Sequence, residues 1–237
     1  MVEINSSNMT SVLIKKIKND IINGVYQPGD RLLPLRELSI KYDVSRSVVN
    51  SVVSSLSAQG YLSVSPRHYV VVNDFLQTGT LKILDDVLDS QNQKLKLKLV
   101  KDVLEYRKTI ATQALLIIFQ NDDVELSNLS NIIDQQRMWL KEPINDLSVL
   151  VNLDMLFHQY LLESTNNMVY KLIYRHFESF SLKMITYFYQ NYDLAAQNFT
   201  LYVTIFDAII NKDEKLAVDT LSKVLDQGAT FVLRLMN

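Results

Sequence analysis

The sequence predicts a mainly α-helical protein with a winged helix-turn-helix at its N-terminus and an all-helical antiparallel bundle after it. Two observations predict this fold. Five Gly and four Pro leave few breaks in 237 residues, and three of the Pro lie within the first 66. From residue 74 onward, apolar residues recur at helical spacing between short polar breaks such as QNDD and NKDE. We therefore predict one domain over residues 1–73, a linker over 74–92 that contains one helix near residues 77–88, and a helical domain over 93–237.

The first N-terminal elements follow from apolar spacing and turn residues. Apolar residues at spacing four predict a helix over residues 9–23, which Gly24 ends. Pro28 and Gly29 favour a tight reversal of the chain. A short helix is then expected over residues 35–42.

The next helix has the pattern of a recognition helix. Ser45 is placed to cap its N-terminus and Gly60 to end it. An apolar stripe faces a core and turns Arg46, Ser47 and Asn50 outward. This stripe consists of Val49, Val52, Val53 and Leu56. Two helices joined by a short turn, with a polar tip on the second, form the geometry that enters the major groove of DNA.

A wing and a basic charge balance support contact with DNA. Two β-prone runs over residues 61–64 and 69–72 predict a hairpin with Arg67 and His68 at its tip, where they could contact a base or a groove. Residues 1–73 carry eight Lys and Arg against five Asp and Glu, whereas the rest of the chain carries 16 against 21. The N-terminal domain is the basic one, as contact with phosphates requires.

The segment IINGVYQPGDRLLPLRELSIKYDVSRSVV resembles the DNA-binding domain of the GntR family. The resemblance implies that Arg36 and the helix-tip residues Ser45, Arg46, Ser47 and Asn50 lie at the DNA-contacting surface. Most relatives have Arg at the last of these positions. An Asn can read adenine but cannot pair with guanine as Arg does, so the operator sequence is expected to differ.

The rest of the chain resembles the FCD subclass of that family, and within it the FadR-type fatty-acid regulators. The segments VVNDFLQTGTLKILDDVLD and LDMLFHQYLLESTNNMVYKLIY carry this likeness. It implies a homodimeric repressor or dual regulator that binds double-stranded operator DNA and responds to a long-chain acyl-CoA in the helical domain. The alternative is a regulator of the same subclass that senses a small organic or sugar acid, with or without a metal.

Four residues are the candidates for the effector site. Arg107, within an otherwise apolar helix face, predicts either an anion-binding group or an internal ion pair with Asp154. Asp154 and His158 stand four apart and match the first two metal ligands of many FCD domains. The aligned third and fourth positions are Tyr202 and Val224. We therefore predict no bound metal, with Asp154 and His158 forming a hydrogen-bonded pair in the pocket wall beside Tyr202.

Composition argues against several other functions. The chain has no Cys and three His, and no nucleophile elbow or phosphate-cradling loop is present, so we predict no catalytic residues and no enzyme. No run of about 20 apolar residues could span a bilayer, and the N-terminus lacks the order of a signal peptide, so we expect a cytoplasmic protein without membrane contact. A remote alternative is a helical interaction protein that does not bind DNA.

Overall fold

The computed structural model describes residues 6–65, 69–144, 146–190 and 192–236. The chain divides into two compact units, Met1–Lys96 and Leu97–Asn237. The elements of both units are helical apart from one two-stranded hairpin, which confirms the predicted fold class within the described ranges. In these ranges, no helix has both the length and the apolar content that crossing a membrane requires.

The first unit begins with three helices and a hairpin. The helices are α1 (Ser6–Ile22), α2 (Leu35–Lys41) and α3 (Arg46–Ala58), and the strands are β1 (Leu62–Val64) and β2 (Val70–Val72). Helices α1 and α2 both pack on α3, and β1 lies against α3 as well. The strands are antiparallel, with Leu62 opposite Val72. This is the predicted winged helix-turn-helix.

Two short helices follow where one was expected near residues 77–88. They are α4 (Phe75–Thr78) and α5 (Ile83–Leu88). Gly79 separates them, and a Cβ at this position would lie 1.7 Å from Cδ1 of Ile83 and 2.5 Å from the carbonyl oxygen of Phe75. The chain therefore turns at a glycine that no larger residue could replace without a shift of its neighbours.

Asp86 links α5 by hydrogen bonds to α1 and to Tyr61. The Nζ of Lys18 on α1 donates to both carboxylate oxygens of Asp86, at 2.8 and 2.7 Å, and the hydroxyl of Tyr61 donates to Oδ2 at 2.9 Å. Further along, Nδ2 of Asn92 donates to the carbonyl oxygen of Ile22 at 2.9 Å. Within the first unit, the segment after the hairpin is thus hydrogen-bonded to α1 and to Tyr61.

The second unit is an antiparallel helical bundle. It contains most of α6 (Gln93–Gln120) together with α7 (Ser127–Lys141), α8 (Leu147–Glu163), α9 (Met168–Phe188), α10 (Tyr192–Ile210) and α11 (Glu214–Leu235). Helix α8 packs between α7 and α9, while α10 packs on α7 and α11. The polar breaks of the sequence supply N-caps, since Asp146, Asn167 and Asp213 accept hydrogen bonds from backbone N–H groups of the first turns that follow. The core centres on the aromatic side chains of Phe157 and Phe199.

Candidate nucleic-acid interface and effector pocket

The tip of α3 is exposed, as the sequence predicts. Ser45 has an extended backbone, and its Oγ accepts a hydrogen bond from the backbone N–H of Val48 at 3.2 Å, which begins the helix. Arg46, Ser47 and Asn50 are exposed. The opposite face packs into the core through Val48, Val49, Val52, Val53 and Leu56. Burial of one face therefore orients the three polar side chains toward solvent.

Arg36 lies on the exposed side of α2. Its neighbour Leu38 is 1% exposed and anchors the short helix, which turns Arg36 outward. Neither Arg36 nor Arg46 has an ion-pair partner in the described part of the chain. Both guanidinium groups are thus available to an anionic partner. Arg67 and His68, predicted for the tip of the wing, lie outside the described residues.

Asp154 is the centre of a buried polar cluster in the second unit. It lies on α8 and is 3% exposed. Its Oδ2 accepts hydrogen bonds from the hydroxyl groups of Tyr189 at 2.5 Å and Tyr202 at 2.7 Å. The other carboxylate oxygen, Oδ1, has no hydrogen-bond partner within the described structure. Asn198 completes the cluster by donating from Nδ2 to the Tyr189 hydroxyl at 3.4 Å.

Arg107 and His158 lie beside the open side of this carboxylate. A guanidinium nitrogen of Arg107 and Nε2 of His158 are each 3.6 Å from Oδ1 of Asp154. Arg107 therefore forms the internal ion pair that was one of its two predicted roles. The expected hydrogen bond between Asp154 and His158 is absent. His158 Nε2 instead faces the hydroxyl of Tyr202 at 3.2 Å, because this hydroxyl lies close to both residues.

Burial sets the charge state of the cluster. It raises the pKa of Asp154 above the ordinary value, although Arg107 and the two phenols favour the ionised carboxylate. Burial is the main cause that lowers the pKa of His158 well below 6.5, and the positive charge of Arg107 is the second. The pKa values of Tyr189 and Tyr202 are raised by burial and by the neighbouring Asp154. At neutral pH the imidazole is therefore uncharged, and both phenols keep the protons that they donate.

Two cavities share Arg107 in their linings. The first, of about 40 Å³, is lined by Asp154, Asn198 and Tyr202 and by apolar residues of α9 and α11. The second, of about 50 Å³, has an aromatic lining of Tyr106, Tyr170, Tyr174, Phe177 and Phe180. Leu104, Arg107 and Met184 line both. Because one water molecule needs on the order of 10 Å³ of such space, each cavity has room for only a few water molecules.

The donors around Asp154 do not fit a divalent metal. Val224, at the fourth position of the FCD ligand pattern, lines the first cavity with an apolar side chain. The phenol of Tyr202 takes the third position and donates its proton to Asp154. The guanidinium group of Arg107 adds a positive charge 3.6 Å from Oδ1. No group of three or more His, Cys, Asp or Glu could hold a metal among the described residues. The absence of a bound metal stays a prediction.

Tyr189 was missed as a site residue. It is fully buried and donates the shortest hydrogen bond to Asp154. Tyr189 and Asp154 are 35 positions apart in the sequence. Tyr189 is one of many aromatic residues in this region, so nothing in the sequence singled it out as a partner of Asp154. The aromatic lining of the second cavity was visible in the sequence only as an abundance of Tyr and Phe.

Comparison with known proteins identifies the class and then the family. A winged helix-turn-helix with an exposed polar tip, followed by a helical bundle with a charged pocket, is the organisation of a DNA-binding transcription regulator. The family described as "Bacterial regulatory proteins, gntR family" matches residues 10–72, and the FCD domain matches residues 102–227. The chain belongs to the GntR family and carries an FCD domain.

Curated relatives agree with this assignment, and a solved structure shares the fold. A fatty acid metabolism regulator protein of Shewanella denitrificans is 24% identical over 202 residues, which cover 85% of this chain and 81% of that protein. A protein of the same description from Vibrio cholerae is 34% identical over 99 residues, 41% of this chain and 34% of its own length. A solved structure described as "Lar controls the expression of the Listeria monocytogenes agr system and mediates virulence" has a TM-score of 0.61 at 17% identity, covers 99% of both chains and shares the fold.

Proposed function

We propose that the protein is a homodimeric repressor or dual regulator whose binding to operator DNA is weakened by an acidic effector at Arg107. The single observation that carries the DNA-binding surface is the exposed polar tip of α3, oriented by a fully packed opposite face. Arg46 leads this tip, and Ser47, Asn50 and Arg36 accompany it. Two such tips in a dimer would read half-sites about 34 Å apart, one turn of DNA.

DNA binding is tested by fluorescence anisotropy with promoter fragments from the gene's own neighbourhood, titrated with salt. Arg46→Ala is expected to weaken specific binding by ~1–3 kcal/mol, which corresponds to roughly 5- to 150-fold. Lys223→Ala is the matched control because it removes the same charge from an exposed position on α11. Equal affinity of the Arg46→Ala protein and the wild type would contradict the proposed role of the α3 tip, and no binding by the wild type would favour an interaction protein that does not bind DNA.

The effector is proposed to be a long-chain acyl-CoA. Arg107 supplies a positive charge for an anionic group. Its side chain is 27% exposed, although Asp154 lies beside it. The aromatic cavity next to it would receive the hydrocarbon chain. The fatty acid metabolism regulators among the relatives support this class of ligand. An acyl chain needs far more room than the two cavities offer, so its binding requires side chains that line them to move.

Titration with palmitoyl-CoA tests this proposal through two signals. The fluorescence of Trp139 should change, because its ring packs edge-on against Phe199, which neighbours Tyr202. The protein should also release its operator. Arg107→Ala should abolish both responses, whereas Lys101→Ala, which removes a charge from an exposed position of the same helix, should keep them. No response of the wild type would exclude acyl-CoA as the effector.

A small organic or sugar acid is the second candidate, and the small cavity volumes favour it. Its carboxylate would pair with Arg107, and a hydroxyl of the acid could donate to the unpartnered Oδ1 of Asp154. Release of DNA by lactate, citrate or gluconate, with no effect of palmitoyl-CoA, would select this candidate. Light scattering at the concentration used for DNA binding tests the homodimer, and a monomeric mass would contradict it.

A further inference from the structure

A stacked arginine beside β2 lies outside the predicted DNA-contacting set. Arg31 forms an isolated antiparallel bridge with Val71, so it lies on the other side of β2 from β1. Two backbone hydrogen bonds hold it there, from Leu32 N to Val70 O and from Val72 N to Asp30 O, both at 2.9 Å. Arg31 is thus fixed beside the hairpin by its backbone.

The side chain of Arg31 lies on the outer face of the hairpin. Val70 and Val72 are 3% and 1% exposed and face the core. Because side chains alternate along a strand, Tyr69 and Val71 point the other way. Arg31 is paired with Val71 and shares this outer face. Its guanidinium carbon lies 4.1 Å from the centre of the Tyr69 ring. The stacked pair therefore lies at the end of β2 where the strand begins.

Among the described residues, no carboxylate neutralises Arg31. Within the described ranges, its guanidinium group has no carboxylate within 4.0 Å, whereas Lys16 and Lys18 of the same unit are paired with Asp20 and Asp86. The adjacent carboxylate of Asp30 instead accepts the backbone N–H of Gln27 at 2.7 Å. Arg31 thus presents an uncompensated positive charge, and Tyr69 restricts its motion.

We propose that Arg31, positioned by Tyr69, binds a backbone phosphate of the operator beside the wing. A guanidinium group stacked through its face keeps its N–H edge free for the oxygens of a phosphate, which it matches in a two-point geometry. Stacking also reduces the conformational freedom that binding would otherwise remove. The contact is made to the DNA backbone, so it strengthens binding without reading sequence. This inference rests on the proposed DNA binding and adds a contact to it.

The test compares salt titrations of DNA binding on two duplexes, the operator and an unrelated sequence of equal length. Arg31→Ala should weaken binding to both by the same factor, about fivefold near 0.15 M salt, and reduce the slope of log affinity against log salt by about one. Lys223→Ala is the charge-matched control and should leave the slope unchanged. Loss of operator affinity alone, or an unchanged slope for Arg31→Ala, would overturn the proposal.

Variants of Tyr69 separate positioning from charge. Tyr69→Phe keeps the ring and should bind as the wild type does. Tyr69→Leu removes the ring but not the charge, so affinity should fall about two- to threefold with the salt slope retained. Equal affinity of these two variants would remove Tyr69 from the proposal. A wild type that binds neither duplex would refute DNA binding itself, and a melting temperature of Arg31→Ala far below the wild type would show a structural role for the stack instead.

Discussion

Replacing Tyr189 by Phe tests whether the buried polar cluster stabilises the second unit. The substitution removes the hydroxyl that donates to Oδ2 of Asp154 at 2.5 Å and leaves the ring in the core. Tyr202 remains as the second donor to this carboxylate. Removing one partner of a buried hydrogen bond costs about 1–3 kcal/mol, and the loss should lie in this range because Tyr189 is fully buried. The pKa of Asp154 should rise further, since one group that favours its ionised form is gone.

Urea unfolding followed by Trp139 fluorescence measures this effect. Trp139 is the single Trp of the chain and is buried in the same core, so its signal reports the second unit. Tyr187→Phe is the matched control because Tyr187 lies in the last turn of α9, two residues before Tyr189, and is 53% exposed. This variant should lose less than ~0.5 kcal/mol. A free energy of unfolding for Tyr189→Phe that equals the control would refute the view that this hydrogen bond stabilises the bundle.

Three further substitutions test other parts of the structure. The pKa of His158 is lowered in the folded protein, so stability should fall below pH 6.5 by up to about 1.4 kcal/mol per pH unit as the unfolded chain takes up a proton. In urea unfolding as a function of pH, His158→Gln should flatten this fall, whereas His176→Gln, at an exposed position, should not. Gly60 has φ +84°, and a Cβ there would lie 2.2 Å from a carbonyl oxygen, so Gly60→Ala should cost at least about 2 kcal/mol in thermal unfolding followed by circular dichroism. Ser45→Ala removes the N-cap of α3 and should cost about 1 kcal/mol, together with a loss of operator affinity; no change in either measurement would contradict the capping role.

The helical elements were predictable because local signals specify them. Ser45 and the apolar stripe behind it set the start and the orientation of α3, and the polar breaks between later helices contain their N-caps. The single helix expected near residues 77–88 was wrong because apolar spacing continued across Gly79, where the nearby Phe75 carbonyl oxygen and Ile83 side chain leave no room for a Cβ.

The effector site was only partly predictable, since its groups come from four helices. The spacing of Asp154 and His158 placed both on one face of α8, and the apolar neighbours of Arg107 pointed it inward. Tyr189 could not be selected, because its role depends on how α9 ends beside α8. The same limit applies to Arg31, because its position beside the hairpin depends on its bridge to Val71, 40 residues later in the sequence.

The hydrogen bonds of Asp86 affect how an isolated DNA-binding fragment of this protein should be chosen. A fragment cut after residue 73 would lose the carboxylate that accepts from Lys18 and from the buried Tyr61. A buried phenol without its hydrogen-bond partner costs about 1–3 kcal/mol. This is a large part of the free energy of unfolding of a domain of this size. A fragment extended to Lys96 keeps both partners and should melt well above the shorter one.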